Sequence, residues 1–428
     1  MCPRYYSIRH ILFFIGCIIF NVSLAQTSID TAMSGTLDSV TVTAFRITYN
    51  GQSLPVANAR ITSATLQQEV NGTLLPAFNL VPGVRMEQRS EGSYRLAIRG
   101  SSLRSPFGVR NVKVYWNDVP FSDPTGNTYL NILPFALVSG IDIIKGPVGA
   151  SYGLGTGGAV LLQSNFVTDS LLQNAASINL RAGSFGYLGQ DVRVTLQQKK
   201  LQQTFFISNE KIDGWRDQSG STKKNITWLG TLTKNKHKIK AMLLFTDLMY
   251  QTPGGLTLAQ MQQNPRSARQ ATTTLPSAVT QQTAVFNKTW LGSIHHNFQL
   301  TKNIDWQNFM VGANTNFKNP FITNYEIRHE KNASFGSHLM MRFQKPVGDI
   351  KIVIGGEWQV QDADINNYGN KRGVRDTLQF ADQITTKQSF LFANASIRLQ
   401  QKWQIELGIS DAYMGYRYFR NTNLLEMA

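Results

Sequence analysis

From about residue 175 to the end of the chain, apolar and polar side chains alternate in segments of about ten residues, separated by turns. Near the end of the chain, Trp403, Ile405 and Leu407 fall on one face of such a segment, and Gln404 and Glu406 fall on the other. Successive side chains of a β-strand point to opposite faces. The pattern therefore predicts a mainly β protein whose strands have one apolar and one polar face, as in a transmembrane β-barrel.

The segment lengths favour a barrel over a soluble β-sandwich, which would give the same alternation. The strand candidates run for about ten to fifteen residues, whereas strands of soluble proteins usually have about five or six. Short connections, such as Asn235-Lys236, alternate with long polar ones, such as the stretch from Tyr250 to Thr283. Barrels of outer membranes have short turns on one rim and long loops on the other. We predict about eleven strands of this kind.

The net charge of +16 does not indicate a nucleic-acid-binding protein. Lys and Arg are scattered singly through the alternating segments, and the longest runs are the pairs Lys199-Lys200 and Lys223-Lys224. A DNA-binding protein would concentrate its basic residues on one helix or tail. We attribute the charge to a basic lumen and basic loops, and expect no nucleic-acid partner.

The N-terminus predicts export from the cytoplasm. Arg4 and Arg9 precede an apolar run from Ile11 to Val22, and Ser23-Leu24-Ala25 matches a signal-peptidase site, so residues 1–25 are expected to be a signal peptide. Both cysteines of the chain lie within this segment. The mature protein would then have no disulfide, thiolate metal site or cysteine nucleophile.

Residues 50–165 have a different pattern, which predicts a compact α+β unit. Two short helices are expected over Thr62 to Asn71 and Thr73 to Leu80. Short apolar strands are expected over Tyr94 to Arg99, Val112 to Trp116 and Ile141 to Lys145, because Gly, Pro, Ser and Asp separate them.

Motifs within residues 38–165 occur together and in a fixed order. The first comprises Asp38, Ser39, Val40, Thr41, Val42, Thr43 and Ala44. The next are Leu80 to Val84, then Ala97-Ile98-Arg99-Gly100, then the strand and turn from Val112 to Pro120. The last runs from Ile141 to Leu162 and includes Lys145, Gly146, Pro147, Gly153 and Gly158. This series resembles the coupling box and plug domain of the TonB-dependent outer-membrane receptors, although Asn117-Asp118 replaces the usual Asp-Gly turn.

A nucleotide-binding loop is the rival interpretation of the last motif, because Gly153, Gly155 and Gly158 satisfy G-x-G-x-x-G. That fingerprint requires a following helix and an acidic residue about 20 positions later, whereas the next residues look strand-like. His295 and His296 would point to opposite sides of a strand, and no metal-ligand spacing is present. We therefore predict no catalytic residues, no metal site and no cofactor, and we do not expect an enzyme.

The resemblance implies four segments: a signal peptide (1–25), a periplasmic segment with the coupling box (26–49), an α+β plug (50–165) and an antiparallel transmembrane β-barrel (166–428). Family barrels have 22 strands, and 22-stranded barrels are of the plugged type. The residues after Asn165 accommodate about half of these, so we expect an incomplete barrel and a fragment, truncated gene or half of a split reading frame. Localisation in the outer membrane of a Gram-negative bacterium, with lipid around the barrel, follows from the same resemblance.

The resemblance also implies partners and a transport function. TonB, with its inner-membrane energising complex, would bind the box and power uptake. Loops near Arg104, Arg110, Phe121 and Asp123 are similar to those of ferric-citrate and siderophore receptors, so these residues are candidate contacts of a ferric chelate. The two arginines could equally pair with carboxylates of the barrel wall. Uptake of cobalamin or another small nutrient, and a passive porin-like channel or surface-binding β-protein, are the alternatives.

Overall fold

The computed structural model describes residues 41–44, 46–50, 56–68, 72–101, 108–155, 157–164, 174–346, 348–400 and 402–421. The expected signal peptide, the box residues Asp38, Ser39 and Val40, and the candidate ligand residue Arg104 lie outside this range. Among the residues described, none of the helices has the length and apolar character needed to cross a membrane.

The N-terminal part combines short strands and short helices. Its strands are β1 (Thr41–Ala44), β2 (Ile47–Asn50), β3 (Asn58–Ile61), β4 (Val84–Gln88), β5 (Tyr94–Ile98), β6 (Val112–Trp116), β7 (Val119–Pro120), β8 (Gly140–Lys145) and β9 (Gly158–Gln163). Its helices are α1 (Ser63–Gln67), α2 (Leu75–Asn79) and α3 (Gly149–Tyr152), with single 3₁₀ turns at Leu130–Ile132 and Phe135–Leu137.

A five-stranded mixed sheet forms the centre of this part, in the order β3-β8-β9-β6-β7, and only β6 and β9 are parallel. All five residues of β6 are buried, because the strand has neighbours on both edges and packed residues on both faces. Phe78, Trp116, Ile141 and Ile143 are completely buried there. The same core includes Leu244 from the following sheet, so the two parts share one apolar interior.

Helices α1 and α2 are shorter than the predicted segments Thr62 to Asn71 and Thr73 to Leu80, and residues 69–71 of the first segment lie outside the described residues. Helix α2 begins at Leu75 rather than Thr73, because the Thr73 hydroxyl accepts a hydrogen bond from the Leu75 backbone N–H and Pro76 occupies the first turn. Proline suits that position because the first N–H groups of a helix have no partner within it.

The second part is a meandering sheet of eleven antiparallel strands, each paired with the next along the chain. They are β10 (Asn174–Gly183), β11 (Tyr187–Gln198), β12 (Leu201–Ile212), β13 (Ser221–Lys234), β14 (His237–Gln251), β15 (Ala284–Thr301), β16 (Ile304–Pro320), β17 (Asn324–Lys345), β18 (Gly348–Lys371), β19 (Val374–Leu399) and β20 (Trp403–Arg420). This agrees with the expected number. In the part of the chain described, β10 and β20 each pair on one side only, so the barrel wall is open.

The two faces of the wall differ as the alternation predicts. On β15, Asn287 and Thr289 are buried toward the N-terminal part, whereas Trp290 is 62% exposed on the outer face. The long connection from 252 to 283 contains helix α4 (Leu258–Gln263). Two-residue turns at 199–200, 235–236 and 302–303 join strands at the opposite rim, which we call the short-turn rim.

Candidate functional site

The described residues of the predicted coupling box, Thr41–Ala44, form strand β1. This strand pairs antiparallel with β2, from Thr41 opposite Asn50 to Ala44 opposite Ile47. Within the described structure this sheet has only these two strands, so the second edge of β1 forms no strand pairing, although β8 lies close to β1. An open strand edge can accept a strand from a partner through backbone hydrogen bonds.

Arg46 lies in the turn between β1 and β2, with a left-handed backbone (φ 61°). Its side chain is buried against the barrel wall, where the guanidinium forms an ion pair with Glu357 of β18. Only 6% of the Arg46 side chain and 2% of the Glu357 side chain are exposed. The segment next to the coupling box is therefore joined directly to the wall.

Further contacts satisfy this buried pair. The Arg46 Nε donates to the Ser151 backbone oxygen (3.2 Å), and the Tyr115 hydroxyl donates to the other oxygen of Glu357 (3.0 Å). The guanidinium carbon lies 5.1 Å from the ring centre of Tyr115 and 5.4 Å from that of Tyr152, within cation–π range. Burial raises the pKa of both tyrosines, so both hydroxyls stay protonated at neutral pH. A buried ion pair needs such additional hydrogen bonds to offset its desolvation.

Other polar contacts also join the N-terminal part to the wall, among them those of Asp118 and Lys113. Asp118, in the turn between β6 and β7, accepts from the Lys240 ammonium of β14 at 2.9 Å. The positive charge of Lys240 holds the pKa of this carboxyl well below its usual range. Lys113 of β6 donates to Gln388 of β19 at 3.2 Å, and burial lowers its pKa to about 8.

The backbone conformation at Asn117 and Asp118 explains how these two residues can replace the Asp-Gly pair expected at this turn. Both residues have positive φ values, 51° and 72°. This is the backbone of a type I′ hairpin turn, which Asn and Asp tolerate better than other non-glycine residues. The replacement therefore preserves the turn.

The residues of the plug motif have mainly backbone roles. Gly158 has φ 134°, and a Cβ there would lie 2.2 Å from the Ile144 carbonyl oxygen. Gly153 faces the ring of Phe390 on β19, which a Cβ would approach to 2.7 Å. Arg99 and Gly100 form a left-handed turn after β5, and Gly146 has φ 127° just before Pro147. The Lys145 ammonium donates to the Pro82 carbonyl oxygen at 2.7 Å, which connects the early motif with the late one.

The described candidate ligand residues, Arg110, Phe121 and Asp123, fall on two neighbouring loops. A β-bridge between Val109 and Thr128 holds the segment of Arg110 beside the loop from 121 to 127. Arg110 is exposed, and no wall carboxylate lies within ion-pair distance of it in the described structure. Phe121 is half-buried, with its ring edge-on to Trp116 at 5.8 Å.

Asp123 organises its own loop. One carboxylate oxygen accepts from the backbone N–H groups of Thr125 (2.9 Å) and Asn127 (3.0 Å), and from the Thr125 hydroxyl. Desolvation by burial raises the pKa of this carboxyl. Asp123 and Phe121 therefore shape the loop, whereas Arg110 presents a charge to solvent.

Several residues of this site could not be assigned from the sequence. Arg46 follows the coupling box by two positions, and Glu357 is a charged residue on the polar face of β18, but no local pattern pairs them. His295 and His296 do point to opposite faces: His295 is buried toward the lumen, whereas His296 stacks against His237 and Phe298. The described residues contain no cluster of three or more metal-ligating side chains.

Comparison with known proteins identifies this arrangement. Residues 50–160 match the family model of the TonB-dependent Receptor Plug Domain. The fold is similar to that of the ferric citrate transporter FecA in its unliganded form, with a TM-score of 0.70, 14% identity, and coverage of 87% of this chain and 58% of that one. It is also similar to the ferripyoverdine receptor of the outer membrane of Pseudomonas aeruginosa, with a TM-score of 0.70, 11% identity, and coverage of 89% and 55%.

The siderophore receptor PiuA from Acinetobacter baumannii is a third similar structure, with a TM-score of 0.66, 14% identity, and coverage of 89% of this chain and 63% of that one. The chain thus spans between 55% and 63% of the length of these three proteins. At such identities the likeness establishes the fold. The chain carries the plug domain of the TonB-dependent receptors, followed by eleven strands with the fold of their barrel wall.

Proposed function

We propose that this protein acts as a TonB-dependent outer-membrane receptor that takes up a ferric chelate, either a siderophore or ferric citrate. The main observation behind the proposal is that the segment directly after the predicted box is bound to the barrel wall through Arg46. The open edge of β1 can accept a strand of TonB, and two residues beyond β1 the buried Arg46 binds Glu357. A pull on β1 would therefore act first on the contact that holds this end of the plug to the wall.

The outer face of the wall supports a location in the outer membrane. Large apolar side chains such as Ile178, Trp290 and Met310 are more than 60% exposed there, which is costly in water and favourable in lipid. The ferric-chelate cargo is proposed from the similar structures, which are described as a ferric citrate transporter, a ferripyoverdine receptor and a siderophore receptor. Arg104, Arg110, Phe121 and Asp123 remain the proposed ligand-side residues, with Arg110 the exposed cation among those described.

Deletion of residues 38–44 from the protein in its native membrane tests this proposal. Energy-dependent uptake of the ferric chelate should be lost, whereas binding of the chelate to whole cells should persist, because the plug loops are untouched. Deletion of residues 28–34, also within the N-terminal segment, is the matched control and should leave uptake intact. Uptake that survives either the box deletion or the loss of TonB would identify a passive channel instead.

A further inference from the structure

Two histidines of the wall meet at the short-turn rim. His237 is the first residue of β14, directly after the two-residue turn at 235–236, and it is exposed. His296 lies on β15 and points away from the lumen, because the adjacent His295 is buried toward the lumen. The His237 Nδ1 lies 3.0 Å from the His296 Nε2. The pair is therefore on the outer face of the wall, next to the solvent at the rim.

The register of the sheet holds the two rings together. His237 is opposite Phe298 and His296 is opposite Ile239, so the two histidines are diagonal neighbours on adjacent strands. Diagonal neighbours are about 7–8 Å apart, which is within reach of aromatic side chains. Phe298 stacks on the His237 ring, with 4.4 Å between the ring centres and 6° between the planes. This contact restrains the His237 ring in advance, which lowers the cost of binding a ligand there.

The distance between the two nitrogens matches that of two neighbouring ligands of one metal ion. Imidazole nitrogens bind divalent transition metals at about 2.0–2.1 Å, so the 3.0 Å gap corresponds to an N–metal–N angle of about 95°. Neighbouring ligands of square-planar and octahedral ions are about 90° apart, whereas a tetrahedral ion would need a gap of about 3.3–3.4 Å. With nitrogen and oxygen ligands, the first type of geometry is typical of Cu²⁺ and Ni²⁺.

In the absence of a metal ion, the two facing nitrogens share one proton in a hydrogen bond. A neutral imidazole carries a single proton, which can move to the nitrogen on the far side of the ring. Both facing nitrogens then have a free lone pair, and a small rotation of the side chains directs both toward one ion. Within the part of the chain that the structure describes, no third His, Cys, Asp or Glu completes a cluster with them. Water would therefore supply the remaining ligands.

We propose that His237 and His296 form a two-histidine binding site for a divalent copper or nickel ion at the short-turn rim. The site does not depend on the proposed uptake function, because the two rings face away from the lumen and the plug. The spacing of metal ligands in the sequence could not predict it. The two histidines are 59 positions apart, and the pairing of β14 with β15 brings them together.

Calorimetric titration with Ni²⁺ tests the site, using the purified full chain in detergent micelles at pH 7.5 and without a histidine tag. Ni²⁺ should bind to the wild type, whereas Mg²⁺ should not, because Mg²⁺ prefers oxygen ligands. His237→Gln and His296→Gln should each raise the Kd for Ni²⁺ at least about tenfold, since even groups that only support a metal ligand are typically worth 10–100-fold in affinity. His329→Gln is the matched control. It removes an exposed histidine whose ring contacts Asn316 instead of another histidine, and the Kd should not change.

Electron paramagnetic resonance of bound Cu²⁺ provides a second measurement, because the spectrum reports how many nitrogen atoms bind the ion. The wild type should show two nitrogen ligands, and His237→Gln should show one. Urea unfolding of the metal-free proteins should give midpoints close to that of the wild type, which separates the loss of a ligand from the loss of the fold. No binding of Ni²⁺, an equal rise in Kd in His329→Gln, or an unchanged Cu²⁺ spectrum in His237→Gln would overturn the proposal.

Discussion

Arg46 and Glu357 are 311 positions apart in the chain, and they form an ion pair in which both side chains are almost fully buried. Arg46 belongs to the turn after the predicted coupling box, and Glu357 belongs to the lumenal face of β18. The pair fixes the start of the plug to the wall at the place where the proposed pull by TonB would act.

Removing one partner of this pair should destabilise the folded protein strongly. Glu357→Gln and Arg46→Met each leave a buried group without its partner, and the expected loss is roughly 3–5 kcal/mol in the free energy of unfolding. Urea unfolding in detergent measures it. The double variant Arg46→Met/Glu357→Leu should lose less than the sum of two single losses, because no uncompensated charge remains. Arg85→Gln, at an exposed ion pair with Glu87, should lower the free energy of unfolding by at most about 1 kcal/mol. An equal loss in Arg85→Gln and in Arg46→Met would contradict a stabilising role of the buried Arg46–Glu357 pair.

Gly158→Ala should disrupt the plug. The added Cβ would lie 2.2 Å from the Ile144 carbonyl oxygen at a φ of 134°, so β8 and β9 would have to separate. We expect a loss of at least about 2 kcal/mol in the unfolding free energy, together with increased proteolysis of residues 140–163. Gly255→Ala is the matched control, because a Cβ there meets nothing within 4 Å. Equal stability of the two variants would show that the plug tolerates a side chain at Gly158.

Stability should rise with pH between about pH 8 and 10.5 because of Lys113. Burial lowers the pKa of this ammonium from 10.5 to about 8. In that window the folded state has released the proton while the unfolded chain retains it, so raising the pH favours folding. Below about pH 8 both states are protonated and the full cost of burying the charge is present.

The comparison that isolates Lys113 is the Lys113→Met variant, which keeps a long side chain and removes the charge. The unfolding free energy of the wild type minus that of the variant should increase by up to about 1.4 kcal/mol per pH unit across the window. Urea unfolding at pH 7.5, 8.5, 9.5 and 10.5 gives this difference. A flat or falling difference would mean that Lys113 is not desolvated in the folded state.

Arg110→Gln should weaken binding of the ferric chelate without changing plug stability. The side chain is exposed and forms no ion pair among the described residues, so the substitution removes a charge and no structural contact. We expect roughly a tenfold or greater rise in Kd, the size of one charge-assisted hydrogen bond. Equilibrium binding to whole cells measures it, and Lys224→Gln on the outer face of β13 is the control. Unchanged affinity would remove Arg110 from the proposed ligand site.

The sequence by itself determined which face of each strand meets the lumen, because alternation is a local property. On β20 it placed Trp403, Ile405 and Leu407 on the apolar face and Gln404 and Glu406 on the polar one. The first three are exposed, whereas Gln404 and Glu406 are half-buried. The sequence also predicted the eleven strands and the tight turn at Asn117-Asp118, since turn chemistry depends on adjacent residues alone. The order of the plug motifs indicated the family before any contact was known.

Only the tertiary structure decided which distant side chains meet. Nothing in the segments around Arg46 and Glu357 specifies their pairing, because it depends on how the plug is oriented within the curved wall. The same holds for His237 and His296, which meet because β14 pairs with β15. Phe121 was a candidate ligand residue on sequence, and the fold turned its ring against Trp116 because closing the plug core buries apolar surface. Local patterns fix the direction of a side chain, whereas its partners are fixed by packing between segments hundreds of residues apart.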